Sequence, residues 1–584
     1  MLPWLRPYRT SIAAGAVGVL GTNLLSALGP WLLKGGIDSL RGDAAGRPVW
    51  HWALALVAAA AAEGFFRWLM RWRLIGVSRD VEYDLRRHLY EHLQRVPMRF
   101  FERFEVGDLM ARVTNDLNSV RMFIGPGLMY TANTVLVLSF SIVLMLRISP
   151  ELTVIALAPL PLVTVAVVFV MKHVHVRATR VQEGFAALTS RVRENLEGVR
   201  VVKAFAREDS QRQLFAEASH EYRERNLDLA RVQRLFLPAM TLFTGTAMAL
   251  VLWRGGLLVM EQRITLGSFV AFSGYLALLM WPMAALGWTL NLFQRGRASW
   301  FRLQELLAEP TEALDGAGSL PPGDGEIRFE HVTVERAGRK LLDDLDLTIP
   351  ARQLVAVVGP TGSGKSTVAR LLARLIEADQ GTVSLDGLSV RDWDLVSLRR
   401  QLSFVPQEGF LFSETIAENV ELGRPDATRA EIQGIADLAQ LTTEIQAFQE
   451  GFDSLVGERG VTLSGGQRQR VTLARALIRQ PRVIVFDDAF SNMDTRTEES
   501  ILKRLPEVLG QVTVVLISHR LATIRRAERI VYLEDGRVVE DGTYEELLER
   551  AGAFARFVRR QRLLAEIEAG AANGARGDDE EEAA

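Results

Sequence analysis

The chain has 584 residues, no cysteine, and 68 Lys plus Arg against 70 Asp plus Glu. The length exceeds one ordinary core and implies several domains; the missing cysteines exclude disulfides, thiolate metal sites and a cysteine nucleophile, and the near balance of charge gives no basis for a nucleic-acid partner. An apolar fraction of 48% with mean hydropathy +0.10 is high for a soluble protein, and it is uneven: long aliphatic runs alternate with charged helical text up to about Leu307, and α/β text starts near Glu326.

WLRPYR, Trp4 to Arg9, carries aromatic and basic residues suited to a membrane interface, as a short helix on the bilayer or as an unstructured basic tip. Six segments then reach the roughly 20 apolar residues that a spanning helix needs. They run from about Thr10 to Leu33, Val49 to Met70, Phe123 to Leu146, Leu152 to Met171, Leu235 to Met260 and Leu266 to Leu290. A signal peptide is a poor account of the first, which lacks a typical cleavage site and is followed by five more. Short loops join the segments in pairs, whereas Arg71 to Met122 and Lys172 to Arg234 are long, charged and nearly free of glycine and proline. These read as membrane helices continuing into water. Arg71, Arg73, Arg79, Lys172, Arg177 and Arg180 flank them, so the long connections face the cytoplasm of a cell-membrane protein.

Within the second segment Glu63, Arg67 and Arg71 recur every four residues and share a helix face. A charge at the bilayer centre costs about 2.5 to 3.5 kcal/mol, so the three form either an ion pair near the cytoplasmic end or a polar patch that touches substrate. His173 and His175, the only tight histidine pair, have no third ligand nearby in sequence and read as a metal-free helix surface. Trp68, Trp72, Trp281 and Trp288 either line a broad cavity or anchor the helices in lipid.

The expected division is a membrane domain over 1–308, a linker over 309–325 rich in proline, glycine and acid, a nucleotide-binding domain over 326–567 and a disordered acidic tail over 568–584. LVAVVGPTGSGKST, Leu354 to Thr367, sets a buried strand before G-x-x-x-x-G-K-S and a helix after it. Gly359, Gly362 and Gly364 let backbone N–H groups approach phosphate beside a helix N-terminus. Lys365 then reaches the β- and γ-phosphates of ATP and the Ser366 hydroxyl is placed for Mg2+; Ser363 and Thr367 complete the phosphate-contacting set. In RVIVFDD, Asp487 ends a second apolar strand as the expected magnesium carboxylate. Between them, Ser464, Gly465, Gly466 and Gln467 open another helix and form a second phosphate-sized nest. A chain that already has a phosphate loop uses a second nest most simply in trans, on nucleotide held by another subunit.

With these motifs the chain resembles a half-transporter of the ABC exporter family (type IV, B-subfamily-like, multidrug or lipid exporters) across nearly its whole length. LSGGQRQR, Leu463 to Arg470, resembles that family's signature motif. The resemblance implies six membrane helices with long cytoplasmic extensions, followed by an α/β P-loop ATPase domain. It implies that Gln407 in FVPQEGFLF senses magnesium and contacts the membrane domain, and that His519 in VVLISHRLAT is the switch histidine at the γ-phosphate. GERG, Gly457 to Gly460, is similar to the loop that touches intracellular helices, and SNMD, Ser491 to Asp494, to the loop that communicates across the dimer. VGDLMARVTNDLNSV and ENLEGVRVVKAFARED are similar to intracellular segments, with docking places near Phe100 to Glu105 and Ala204 to Asp209, the second on the partner.

Two positions depart from the family pattern. The general base after the magnesium carboxylate is usually glutamate, and here it is Asp488. The two acids have similar basicity, but one methylene fewer withdraws the carboxylate by roughly 1 to 1.5 Å, and a misplacement of about 1 Å can cost 10²-fold in rate. The aromatic that stacks on adenine is replaced by Arg336, whose guanidinium can also stack on a base. An intact signature beside a shortened base implies a heterodimer with an unlike half-transporter that supplies the glutamate. A homodimeric lipid or multidrug flippase and a siderophore-type importer with the same fold are the alternatives. The expected work is ATP-driven export of hydrophobic or amphipathic cargo (drug, lipid or peptide) by alternating access.

Overall fold

The computed structural model describes residues 1–41, 48–312, 323–336, 338–457, 460, 463–509, 512–563 and 566. They form two compact units, Met1–Gln94 with Val106–Glu309 and Arg95–Glu105 with Pro310–Ala584. Most of the proline-rich linker, part of GERG and the acidic tail lie outside the described residues.

The first unit is helical throughout. α1 (Leu2–Leu5) leads through a tight turn into α2 (Arg9–Leu40), which packs along α3 (Val49–Leu93). Trp4 to Arg9 is therefore largely helical, and it is fastened to the far end of α3. The Tyr8 hydroxyl donates to Asp84 Oδ2 at 2.7 Å and the Trp4 and His88 rings meet at 5.3 Å. Small residues permit the close α2–α3 approach. A Cβ on Gly18 would lie 2.8 Å from the Met70 backbone nitrogen, while Gly15 and Gly21 face the side chains of Leu74 and Phe66.

α4 (Met98–Arg103) belongs to the second unit. α5 (Val106–Ala111), α6 (Leu117–Met122) and α7 (Leu128–Ile148) form one rod, interrupted by wide π turns at Arg112–Asp116 and Phe123–Gly127, the second containing Pro126. α8 (Pro150–Leu157), α9 (Leu160–Glu197), α10 (Val199–Ala204), α11 (Glu208–Gln233), α12 (Phe236–Met260) and α13 (Leu266–Leu307) complete the unit. Among the described residues, Leu2–Leu40, Val49–Leu93 and Val106–Ile148 are long and apolar enough to cross a membrane, and Gly245–Met260 and Leu266–Leu279 are shorter apolar helical segments. Glu63 and Arg67 form the expected ion pair. Trp68 stacks on Trp72 on an exposed face with ring centroids 5.0 Å apart, and Trp288 meets Tyr130 edge-on at 5.1 Å. The side chain of Trp281 lies outside the described residues.

The second unit has two sheets. β1 (Ile327–Arg336), β2 (Arg339–Ile349), β4 (Gln380–Leu385) and β5 (Leu388–Ser389) pair antiparallel in the order β2-β1-β4-β5. β3 (Leu354–Val358), β6 (Leu402–Val405), β7 (Val483–Asp487), β8 (Thr513–Ile517), β9 (Arg529–Glu534) and β10 (Arg537–Gly542) run in the order β10-β9-β3-β8-β7-β6, parallel except for the β10 edge. All five residues of β7 and of β8 are buried, as the unbroken apolar text of a sheet covered on both faces requires. The carboxyl ends of β3, β7 and β8 then form the crevice where open α/β sheets bind ligands. Arg95–Glu105 clusters with this unit because Glu312 holds it: its N–H donates to Arg95 O at 2.6 Å while its carboxylate pairs with Arg399 at 3.0 Å. Phe100 of α4 is only 1% exposed.

Candidate nucleotide site

After β3 the chain turns through Gly359 to Gly364 into the helix Lys365–Leu372. Gly364 caps that helix at φ 99°, and a Cβ there would lie 2.6 Å from Leu341 O; a Cβ on Gly359 would lie 2.0 Å from Leu533 O. Only glycine fits either place. The helix begins with N–H groups that have no intrahelical partner and point toward the crevice end of the strand. Gly362 is exposed, Ser363 is buried, and Thr367 is partly covered within the first turn.

The Lys365 amine folds back over the loop, donating to Gly359 O at 3.0 Å, Pro360 O at 2.7 Å and Ser363 Oγ at 3.4 Å. Burial pulls its pKa below the usual lysine value, against the opposing charges of Asp487 and Asp488. The Ser366 hydroxyl donates to Asp487 Oδ1 at 3.0 Å, and burial pushes the Asp487 carboxyl upward. A hydroxyl and a buried carboxylate within touching distance form the oxygen-only donor set that a magnesium ion takes, so the residues present fit that ion. Gln407 is exposed; its carbonyl accepts from Gln469 Nε2 at 3.3 Å.

Asp488 directly follows β7 in the left-handed region, φ 50°, a conformation uncommon outside glycine. Its N–H donates to Ile517 O at 2.9 Å, and this turns the carboxylate onto the next strand end, where Asp488 Oδ1 lies 3.0 Å from His519 Nδ1. The contact raises the His519 pKa against the opposing effect of burial. The two catalytic candidates are thus brought together, paired with each other.

The second nest is formed as the sequence predicts. Ser464 caps the helix Gly465–Leu477 in a capping box: its hydroxyl oxygen accepts from Gln467 N at 3.2 Å and Gln467 Oε1 accepts from Ser464 N at 2.9 Å. The N–H groups of Gly465 and Gly466 and the Ser464 hydroxyl hydrogen are left outside the box, on a surface where Ser464 is exposed. Arg336 does not stand free. Its guanidinium donates to Asp379 Oδ2 at 3.2 Å and to the backbone oxygens of Glu335 and Glu377.

Two connecting groups escaped the sequence reading. Gln469, 1% exposed, reaches Gln407 O, Asp488 O and Ser491 Oγ through Nε2 at 3.3 to 3.4 Å and accepts from Asn492 N at 3.0 Å through Oε1. Arg520, next to His519, donates to Ser491 O at 2.7 Å and Met493 O at 3.0 Å and pairs with the buried Glu498. Gln469 lies inside the quoted signature; its inward side on the helix was the available signal.

Residues 12–283 match the ABC transporter transmembrane region and residues 342–491 the ABC transporter family. The multidrug resistance-like ATP-binding protein MdlA of Escherichia coli (strain K12) is 34% identical over 88% of both chains. The probable multidrug resistance ABC transporter ATP-binding/permease protein YheI of Bacillus subtilis (strain 168) is 34% identical over 97% of both, and the ATP-dependent lipid A-core flippase of Photobacterium profundum is 32% identical over 96% of this chain and 97% of its own. A solved bacterial Atm1-family ABC exporter with ATP bound superimposes with a TM-score of 0.77 at 28% identity, covering 95% of this chain and 98% of that one. The chain belongs to the ABC transporters, as a multi-pass membrane protein that joins a helical transmembrane region to a cytoplasm-facing ATP-binding domain.

Proposed function

We propose that this chain is one half of a dimeric, ATP-driven exporter of hydrophobic or amphipathic substrates, with six spanning helices per half. The observation that carries the reading is the coexistence, on one chain, of a phosphate loop beside Asp487 and a separate, partly exposed, N-capped nest at Ser464 to Gly466. Two such chains placed head to tail give two nucleotide sites, each loop covered by the other chain's nest. The apolar tip at Val199, Val201 and Phe205 is exposed, as a docking place on a second subunit requires. The relatives' names favour multidrug or lipid cargo. Closure around two nucleotides turns the cavity outward, and hydrolysis resets it.

In each site Lys365 would trade its carbonyl partners for phosphate oxygens, and Ser366 and Asp487 would hold a magnesium ion, whose charge would offset that of the phosphates. Asp488 accepts the proton of the attacking water and His519 donates to the γ-phosphate. In vesicles with the ATP-binding domain outside, ATP should drive a labelled amphipath inward; movement in the opposite sense would indicate an importer.

A second reading concerns the partner. Asp488 is short, turned aside by its backbone and engaged by His519, which favours a slow site here and an unlike partner that supplies a glutamate. Two differently tagged copies of this chain that co-purify and hydrolyse ATP briskly would overturn the unlike partner and leave export standing. Asp488→Glu in such a homodimer should raise its rate by about tenfold or more if reach is limiting.

A further inference from the structure

Between α2, α3, α7 and α13 lies a cavity of about 360 Å³. Thr22, Asn23 and Ser26 of α2, Arg67 and Arg71 of α3, and Tyr130 and Asn133 of α7 line it with polar groups, and Met70, Val137 and Leu278 give it apolar walls. The level of the cavity in the membrane follows from the α2–α3 contact. Gly18 lies against Met70, nine residues into α2 from Arg9, so Arg71 sits about 13 Å inside the cytoplasmic start of the apolar run. Asn23 and the facing part of α7 lie deeper.

Charge and hydrogen bonding in this cavity are incompletely matched. Arg67 is neutralised by Glu63, whereas Arg71 has no hydrogen-bond or ion-pair partner among the described residues. Asn23 is 2% exposed; its amide N–H donates to Val19 O at 2.7 Å, and its side-chain oxygen is buried without a partner. The Thr22 hydroxyl likewise spends its hydrogen on Gly18 O, at 2.8 Å. One end therefore offers a cation and the other offers acceptor oxygens, with the Tyr130 hydroxyl and Asn133 amide, three residues apart on α7, on the same wall. An unpaired guanidinium at that depth is costly unless an anion joins it.

We propose that this cavity binds the anionic head group of an amphipath, a phosphate monoester in its simplest form, with phosphate on Arg71 and head-group hydroxyls on Asn23 and Thr22. The proposal deepens the export reading and rests on it only for the fate of the ligand.

The test uses the full chain in uncharged nanodiscs and measures displacement of fluorescent lysophosphatidate. Unlabelled lysophosphatidate should displace it, whereas monoolein, with the same tail and no charge, and inorganic phosphate, with the charge and no tail, should not. Arg71→Gln should weaken binding by about tenfold or more and Arg71→Lys by much less, because the charge is retained. Should Arg71→Gln fail to reach the membrane, Asn133→Leu gives the same readout with a smaller loss. Equal displacement by monoolein, competition by inorganic phosphate, or unchanged affinity in both variants would overturn the site. Lysophosphatidate binding that Arg71→Gln abolishes, without ATP-dependent movement of any amphipath in vesicles, would keep the site and overturn export. Transport of an amphipath with Arg71→Gln binding unchanged would do the reverse.

Discussion

Asp488 and His519 form a pair whose length matters as much as its chemistry. With Asp488 at φ 50° and its carboxylate 3.0 Å from Nδ1, an additional methylene would carry the oxygens beyond the imidazole. The pairing raises the His519 pKa, so it favours the folded domain below about pH 6.5, where both states carry the proton, and that contribution declines as pH rises through the raised folded value. Asp488→Asn should therefore lower the His519 titration midpoint, readable by NMR on ring-labelled histidine with His519→Gln as the assignment control; an unmoved midpoint would dissolve the pair. Gln469→Leu removes the acceptor of the Asn492 N–H, a loss of about 0.5 to 1.5 kcal/mol because exposed Asn492 can turn to water, and frees the backbone at Gln407 and Asp488. Hydrolysis should fall with nucleotide binding largely kept. Arg520→Met strands the Glu498 carboxylate, 1% exposed, at a cost of about 3 kcal/mol, and should lower the thermal midpoint of the ATP-binding unit. Whereas His519 was singled out by the family resemblance, the meeting of Lys365, Ser366 and Asp487 at one crevice was legible because strand, turn and helix text fixes their places. The direction of Asp488 was not, since a left-handed aspartate has no sequence signature, and the adenine position shows the same limit: Arg336 is recognisable, its engagement with Asp379 is not.

At the scale of elements, the apolar runs marked where helices lie, but the fourth, Leu152 to Met171, is broken by a turn at Ala158 and Pro159 between α8 and α9, where proline removes a backbone donor; the stretch Trp4 to Arg9 resolved in favour of helix. The π turn at Arg112–Asp116 was not legible, because an inserted residue leaves the local text helical, whereas at Phe123–Gly127 the run Gly125-Pro126-Gly127 was the available signal. The α2–α3 seam was also missed, since its glycines are read by what faces them. Gly18 meets Met70 backbone, which cannot give way, whereas Gly21 meets the Phe66 ring, which can rotate. Gly18→Ala should thus cost more than Gly21→Ala, by about 1 to 3 kcal/mol at the rigid site, in denaturant titrations of the nanodisc-held chain; a reversed order would contradict the seam.

For the whole molecule, composition separates a membrane half from a nucleotide half, but a boundary drawn in sequence cannot show an excursion. Arg95–Glu105 lies far ahead of the linker and still clusters with the ATP-binding unit, with Phe100 buried. Phe100→Ala should cost about 3 to 5 kcal/mol of local packing and abolish stimulation of ATPase by substrate while leaving nucleotide binding intact. The partner was the least legible feature, because a surface nest announces that something must cover it and says nothing of whose chain that is.

The resting posture of Lys365 changes what a familiar substitution measures. Its amine already holds three oxygens of its own loop, so nucleotide arrives at a site that must first give something up. Occupancy is an exchange of partners, and the observed affinity is a difference between two sets of bonds. Lys365→Met removes both sets together, so the affinity it loses understates how strongly the lysine holds phosphate.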